Sequence, residues 1–286
     1  MATQILELGA PPGLPAAFAA LVPLPSLEVP RSRVALGGLL IDQVSLMQAG
    51  ERIADFICSG RPHQIVTVNL DFVSIANRDA VFRDTINDAD LAVPDGMPLV
   101  WASRVRGQPL VERVAGVELV KESCRVAAQL EASVFLLGAA PGVADAASKR
   151  LAGMYPGLRI AGTYSPPAGP VSPEHQERIL GQIRNLRPDV LFVALGAPRQ
   201  DLWIRENQRN LQVPVAMGVG CTFDVLAGVV RRAPMWMQRA GLEWAFRLAQ
   251  EPQRLWRRYL LSDLPMLGQL MLGGGSPSPE PQLQAQ

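Results

Sequence analysis

Histidine, cysteine and charge imbalance are three things this chain has little of, and each scarcity removes a class of chemistry. Only His63 and His175 occur in 286 residues. A three-histidine zinc centre is therefore impossible, and a Ser-His-Asp arrangement has little to draw on. His175 stands in Ser172-Pro173-Glu174-His175, which reads as the solvated first turn of a helix. The cysteines, Cys58, Cys124 and Cys221, are odd in number, far apart and without CxxC spacing. They fit a reducing cytoplasm and small buried apolar roles better than a disulfide framework.

The formal net charge is +1, and no basic stripe marks a nucleic-acid surface. No uninterrupted apolar run reaches the roughly 18 to 20 residues that span a bilayer. The N-terminal residues 1–32 are apolar but broken by prolines, and Glu7 precedes the apolar run without a Lys or Arg. They read as a flexible Pro/Ala-rich tail more readily than as a signal peptide. At the other end, residues 265–286 finish in GGGSPSPEPQLQAQ and read as a disordered tail. Two nucleotide fingerprints are also missing. No GxGxxG is followed by an acidic residue at a second strand end, and there is no GxxxxGK[ST], so a dehydrogenase and a P-loop ATPase are both poorly supported.

What is present is alternation. Apolar, Val/Leu/Ile-rich stretches at 34–42, 65–70, 91–94, 133–138, 158–163, 190–196 and 214–220 alternate with helical patterns near 72–87, 116–130, 141–153, 173–186 and 199–209. Near-continuous apolar strands between helices predict a Rossmann-like, mostly parallel α/β sheet covered on both faces, over residues 33–230. Several strands end in glycine, as in Leu137-Gly138, Leu195-Gly196 and Met217-Gly218-Val219-Gly220. Such ends permit a tight turn, and also a close backbone approach to a phosphate at the next helix.

The stretch LAVPDGMPLVW, residues 91–101, breaks an apolar run with Pro94-Asp95-Gly96. The residue types suit a plain turn. They equally suit delivery of Asp95 to the carboxyl edge of a parallel sheet, where open α/β folds place their ligands. From Arg231 the composition changes to arginine mixed with tryptophan and tyrosine, without lysine. Arg247, Arg254, Arg257 and Arg258 are spaced by seven, three and one, across a helix break at Pro252. Guanidinium forks suit a diphosphate and aromatic neighbours suit a membrane interface, against the simpler alternative of a solvated basic face. Residues 231–264 are accordingly expected to form a membrane-proximal helical appendage.

Taken in order, several short signatures resemble the WecB/TagA/CpsF family of bacterial glycosyltransferases. They are Thr67-Val68-Asn69, Phe82-Arg83 through Pro94-Asp95-Gly96, Glu112-Arg113-Val114-Ala115-Gly116, Gly196-Ala197-Pro198-Arg199-Gln200, Gly218-Val219-Gly220 with Phe223-Asp224, Arg232-Ala233-Pro234, and Gly241-Leu242-Glu243-Trp244 through Pro252 and Arg254. Each alone is weak; together they run from about residue 34 to 260. The resemblance implies an inverting, metal-independent, cofactor-free transfer of a sugar from a UDP-sugar to a polyprenyl-diphosphate-linked sugar at the inner face of the cytoplasmic membrane. It assigns general base to Asp95 and the nucleotide-sugar pocket to Thr67, Asn69, Arg113, Gln200 and Asp224. Arg247, Arg254 and Arg257 would come from the appendage to the diphosphate.

The Met97 to Trp101 stretch looks more like the exopolysaccharide branch. One position departs from the family pattern, since Asp201 stands where the family often carries Glu. Two rivals remain: a metal-dependent transferase using the Asp88-Ala89-Asp90 triplet, and a nucleotide-sugar-binding protein without turnover. The triplet precedes a strand, which would put it at the wrong edge of the sheet. Self-association that hides the apolar face of the appendage is compatible with the sequence.

Overall fold

The computed structural model describes residues 31–272 apart from 168 and 170; the N-terminal tail assigned to 1–32 lies almost wholly outside them. Six strands form one parallel sheet: β3 (His63–Val68), β4 (Leu91–Pro94), β5 (Ser133–Gly138), β6 (Arg159–Tyr164), β7 (Val190–Ala194) and β8 (Val215–Gly218), in the order β4-β3-β8-β7-β5-β6. All five neighbouring pairs are parallel. Alternating residues face opposite sides, as the two-residue period of a strand requires. Ile65, Val134, Leu136, Phe192 and Met217 point to one buried cluster, completed by α1 (Leu46–Ser59), α5 (Gly116–Gln129) and α6 (Val143–Met154). On the other side, Phe135, Leu137, Leu191 and Val193 pack under α7 (Pro173–Leu186) and α8 (Arg199–Leu211), and Val66 and Val68 pack under α2 (Leu70–Ala76) and α3 (Ala80–Asp88). The expected Rossmann-like α/β layering is therefore what the chain adopts.

Two expectations change. The stretch 34–42 is not a strand of the parallel series but a separate antiparallel hairpin, β1 (Arg33–Leu36) and β2 (Leu39–Asp42). The cause is the pair Gly37-Gly38, both at positive φ (58° and 82°), which close a two-residue hairpin turn. The hairpin is fastened to the sheet by Asp42, whose carboxylate accepts the Ala92 N–H at 2.7 Å, and by Arg33, which donates to the carbonyls of Asn87 and Ala89. The single helix expected over 72–87 is two, because Asp79 caps the start of α3 by accepting the Phe82 N–H at 3.0 Å.

The C-terminal part is helical, as expected: α10 (Met235–Arg239), α11 (Glu243–Gln250), α12 (Pro252–Trp256), a π-helical stretch Arg257–Asp263 and α13 (Leu264–Met271). It reaches further than the boundary drawn at 264. Leu270 of α13 is buried among Leu36, Phe72 and Val73, so residues 265–271 belong to the folded chain. Residues 273–286 lie outside the described residues. Among those described, no helix is long and apolar enough to cross a membrane.

Candidate active site

The strand order places the carboxyl ends of β4, β3 and β8 side by side, and the sequence-selected Asp95 and Thr67 meet there. Asp95 follows β4 directly, and its N–H donates to the Val68 carbonyl at 2.6 Å, extending the β3–β4 ladder by one bond. Gly96, at φ 151°, then turns the chain into α4 (Met97–Val105). The segment before α5 is held alongside by the Val114 N–H donating to the Pro94 carbonyl at 2.9 Å. That brings the first residue of α5, Gly116, up to the carboxylate, where its N–H donates to Asp95. A methyl group at position 116 would stand 3.5 Å from both Asp95 Oδ2 and Thr222 Oγ1 and 3.9 Å from Thr67 Cγ2. Gly116 is thus the point around which these side chains gather.

Burial pushes the Asp95 carboxyl up to about 6, opposed by the guanidinium of Arg113, reinforced by the nearby Glu243, and opposed again by the Gly116 N–H and by Arg247. A carboxylate with that balance is ionised at neutral pH yet basic enough to take a proton.

Thr67, buried at the end of β3, donates its hydroxyl to the Gly218 carbonyl at 3.3 Å. Asn69 caps α2, accepting the Phe72 N–H at 3.3 Å. Gln200, in the first turn of α8, is buried and accepts the Gly220 N–H at 3.0 Å, so it supports the turn that follows β8. Asp224 lies in the short helix α9 (Thr222–Leu226), and its carbonyl accepts the N–H groups of Val229 and Val230.

The appendage contributes through a chain of charges. Arg113 donates to Glu243 of α11 at 2.7 Å, and Glu243 accepts from Arg232 at 3.2 Å. Arg232 in turn grips Glu118 of α5 with both terminal nitrogens. Arg247 donates to Cys221 Sγ at 2.8 Å, close to the Thr222 that faces Gly116. Gly241, at φ 73°, seats the appendage against Trp101 of α4; an added methyl there would sit 2.6 Å from the indole. A cleft of about 400 Å³ is lined by Met97, Glu112, Arg113, Glu118, Met235 and Gln238.

Of the appendage arginines, Arg247 reaches the site. Arg257 is exposed and its guanidinium lies 5.4 Å from the ring centre of Trp256, while Arg254 lies in α12. Gly116, Glu118, Thr222, Arg232 and Glu243 were not among the sequence-selected site residues, although three of them sat inside the quoted signatures. The Asp88-Ala89-Asp90 triplet lies at the opposite edge of the sheet. Asp88 is 3.0 Å from Arg205, and Asp90 accepts the Gln64 N–H at 2.9 Å and lies 3.1 Å from His63 Nδ1.

The model of the glycosyl transferase WecG/TagA/CpsF family matches residues 34–275. The N-acetylglucosaminyldiphosphoundecaprenol N-acetyl-beta-D-mannosaminyltransferase of Staphylococcus aureus strain MW2 is 32% identical over 228 residues, covering 79% of this chain and 88% of that protein. Proteins of the same name from strains NCTC 8325 / PS 47 and MRSA252 match with the same identity and coverage.

Proposed function

Because this chain belongs to the WecG/TagA/CpsF family of glycosyl transferases, we propose that it transfers a hexose from a UDP-sugar to a polyprenyl-diphosphate-linked sugar, with inversion and without a metal, in the synthesis of a bacterial cell-surface polysaccharide or exopolysaccharide. The acceptor class rests on the relatives, whose name specifies a sugar carried on diphosphoundecaprenol. The observation that carries the mechanism is Asp95, bonded to the α5 N-terminus and set between Arg113 and Arg247.

In this reading the acceptor hydroxyl gives its proton to Asp95 as its oxygen bonds to the anomeric carbon. The bond to the UDP oxygen breaks in the same in-line displacement, which inverts the configuration. Negative charge then develops on the leaving diphosphate, and Arg113 and Arg247 supply fixed positive charge for it. Asp88 and Asp90, engaged with Arg205 and His63 at the far edge, have no part in this step.

The acceptor is lipid-borne, so the enzyme works as a peripheral protein on the inner face of the cytoplasmic membrane. Trp236, Trp244, Trp256, Leu260, Leu261 and Leu264 expose apolar surface along the appendage, and Arg257 lies among them. Arg254, in α12, is assigned with Arg247 to the lipid diphosphate.

The deciding experiment measures UDP release from a panel of UDP-sugars, with a short-chain lipid-diphosphate sugar and EDTA present, for the wild type and Asp95→Asn. Acceptor-dependent release that survives EDTA and collapses in the variant supports the mechanism. Full activity of Asp95→Asn removes Asp95 as the base, and loss of activity in EDTA removes metal independence. Tight UDP-sugar binding with no turnover on any acceptor favours a non-catalytic binding protein.

A further inference from the structure

Asp201 is the most enclosed carboxyl group of the site region. It has no exposed surface, and neither of its oxygens has a hydrogen bond of normal geometry. Burying a carboxyl group this way is costly unless it serves its surroundings. Acidic residues in a first helical turn ordinarily favour the helix dipole from the surface; here the side chain turns inward instead.

What it turns toward is Gly218, the last residue of β8. A methyl group built on Gly218 would stand 2.4 Å from Asp201 Oδ1 and 2.6 Å from Gln200 Nε2. The carboxyl of Asp201 and the amide nitrogen of Gln200 therefore converge on the same glycine. The other end of that amide, Gln200 Oε1, accepts the Gly220 N–H at 3.0 Å. Behind them the Asp201 carbonyl accepts from Gln64 Nε2 of β3 at 2.9 Å, which fixes the first turn of α8 to the sheet.

We propose that Asp201 is a positioning residue for donor binding: its buried carboxylic acid orients the Gln200 amide, so that Gln200 holds the Gly218-Val219-Gly220 turn in the shape that receives the nucleotide of the donor. This rests on the donor pocket assigned above. A neutral carboxylic acid offers one donor and one acceptor, the complement an amide needs. Burial pushes Asp201 up to about 7, opposed by the Gln200 amide, which keeps the acid form available at neutral pH.

The test uses the full-length chain with Asp201→Asn, Asp201→Leu and Asp201→Ala. Asparagine keeps one donor and one acceptor at nearly the same shape, whereas leucine and alanine keep neither. Asp201→Leu should raise the KM for the UDP-sugar about tenfold, the loss of roughly one buried hydrogen-bonding partner, with kcat and the acceptor KM within about threefold. Asp201→Asn should remain within about twofold of wild type. In parallel, hydrogen exchange of the Gly220 amide should speed up about tenfold in Asp201→Leu and stay slow in Asp201→Asn.

If leucine prevents folding, Asp201→Ala takes its place with the same expectations. An unchanged donor KM together with unchanged Gly220 protection in a folded deletion variant overturns the proposal, and so does an asparagine variant as impaired as the leucine one. The exchange readout needs no substrate. If the wild type turns over no UDP-sugar while Gly220 loses protection on deletion of the carboxyl, the positioning of the turn stands and the assigned reaction falls.

Discussion

Arg113 and Glu243, 130 positions apart in the chain, meet at 2.7 Å at the boundary between the parallel sheet domain and the appendage. Glu243 also accepts from Arg232, so one carboxylate bridges two arginines in the neighbourhood of Asp95. This pairing has a consequence for pH. Glu243 raises the Asp95 pKa and Arg113 lowers it, so each removal has its own sign. Glu243→Gln should move the acidic limb of the kcat/KM profile to lower pH, and Arg113→Gln should move it higher. A profile that stays in place in both variants would show that Asp95 does not titrate in catalysis.

The wild-type rate should rise with pH through about 6 as Asp95 ionises. Asp95→Asn should lower kcat by about 10²- to 10⁴-fold, the usual contribution of a positioned base, and should lose that limb. Stability runs the other way. The folded pKa of about 6 lies above the ordinary aspartate value of 3.8, so the folded state binds more protons between those values and loses stability as pH rises through them. Asp95→Asn should therefore melt higher than wild type at pH 7 and converge with it near pH 4, a comparison that differential scanning calorimetry makes directly.

Gly218→Ala should destabilise the fold by about 1 to 3 kcal/mol, since overpacking forces Asp201 and Gln200 aside. Denaturant titration reads the loss. Gly220→Ala, at a position with φ 55° but open space around it, tests backbone strain in the same turn without the clash.

Arg247→Ala should cost at least about tenfold in kcat/KM, given its effect on Asp95 and the charge it supplies to the leaving diphosphate. Arg257→Ala combined with Trp256→Ala should instead weaken sedimentation with anionic vesicles, and more so at low salt, where surface attraction is strongest. Wild-type binding to vesicles by the double variant would assign the exposed apolar face to contact between copies of this chain.

Asp88→Asn should leave turnover within about twofold of wild type, with or without EDTA. Its carboxylate pairs with Arg205 across an exposed surface, and such pairs contribute about 0 to 1 kcal/mol. A large, metal-dependent loss would reinstate the triplet as a diphosphate ligand.

The sheet was legible because its strands are buried on both faces and read as unbroken Val/Leu/Ile runs. Asp95 was legible because a carboxylate after such a run can stand at only one edge of the sheet. The hairpin at 33–42 had a local signal in Gly37-Gly38, which the surrounding apolar residues masked. Glu243 sat inside the Gly241-Leu242-Glu243-Trp244 signature, but nothing local marked it as part of the site, because its two arginine partners come from other segments of the chain. Arg257 was grouped with Arg247 on spacing, but the helix breaks at Glu251 (φ −128°, ψ 58°) between α11 and α12, so the 3.6-residue phase does not carry from one arginine to the other. Instead Arg257 stacks on Trp256.

Leu270 and the hairpin share one buried cluster, with Leu270 Cδ2 3.0 Å from where a side chain on Gly37 would begin. The first strands of the described residues are thus completed by the last of their helices. During synthesis, Val34, Leu36 and Phe72 leave the ribosome some two hundred residues before Leu270 does, so this cluster of the core closes only after the whole parallel sheet has been made. A chain cut short anywhere before α13 leaves that cluster open, so α13 is the piece that closes the core around the hairpin.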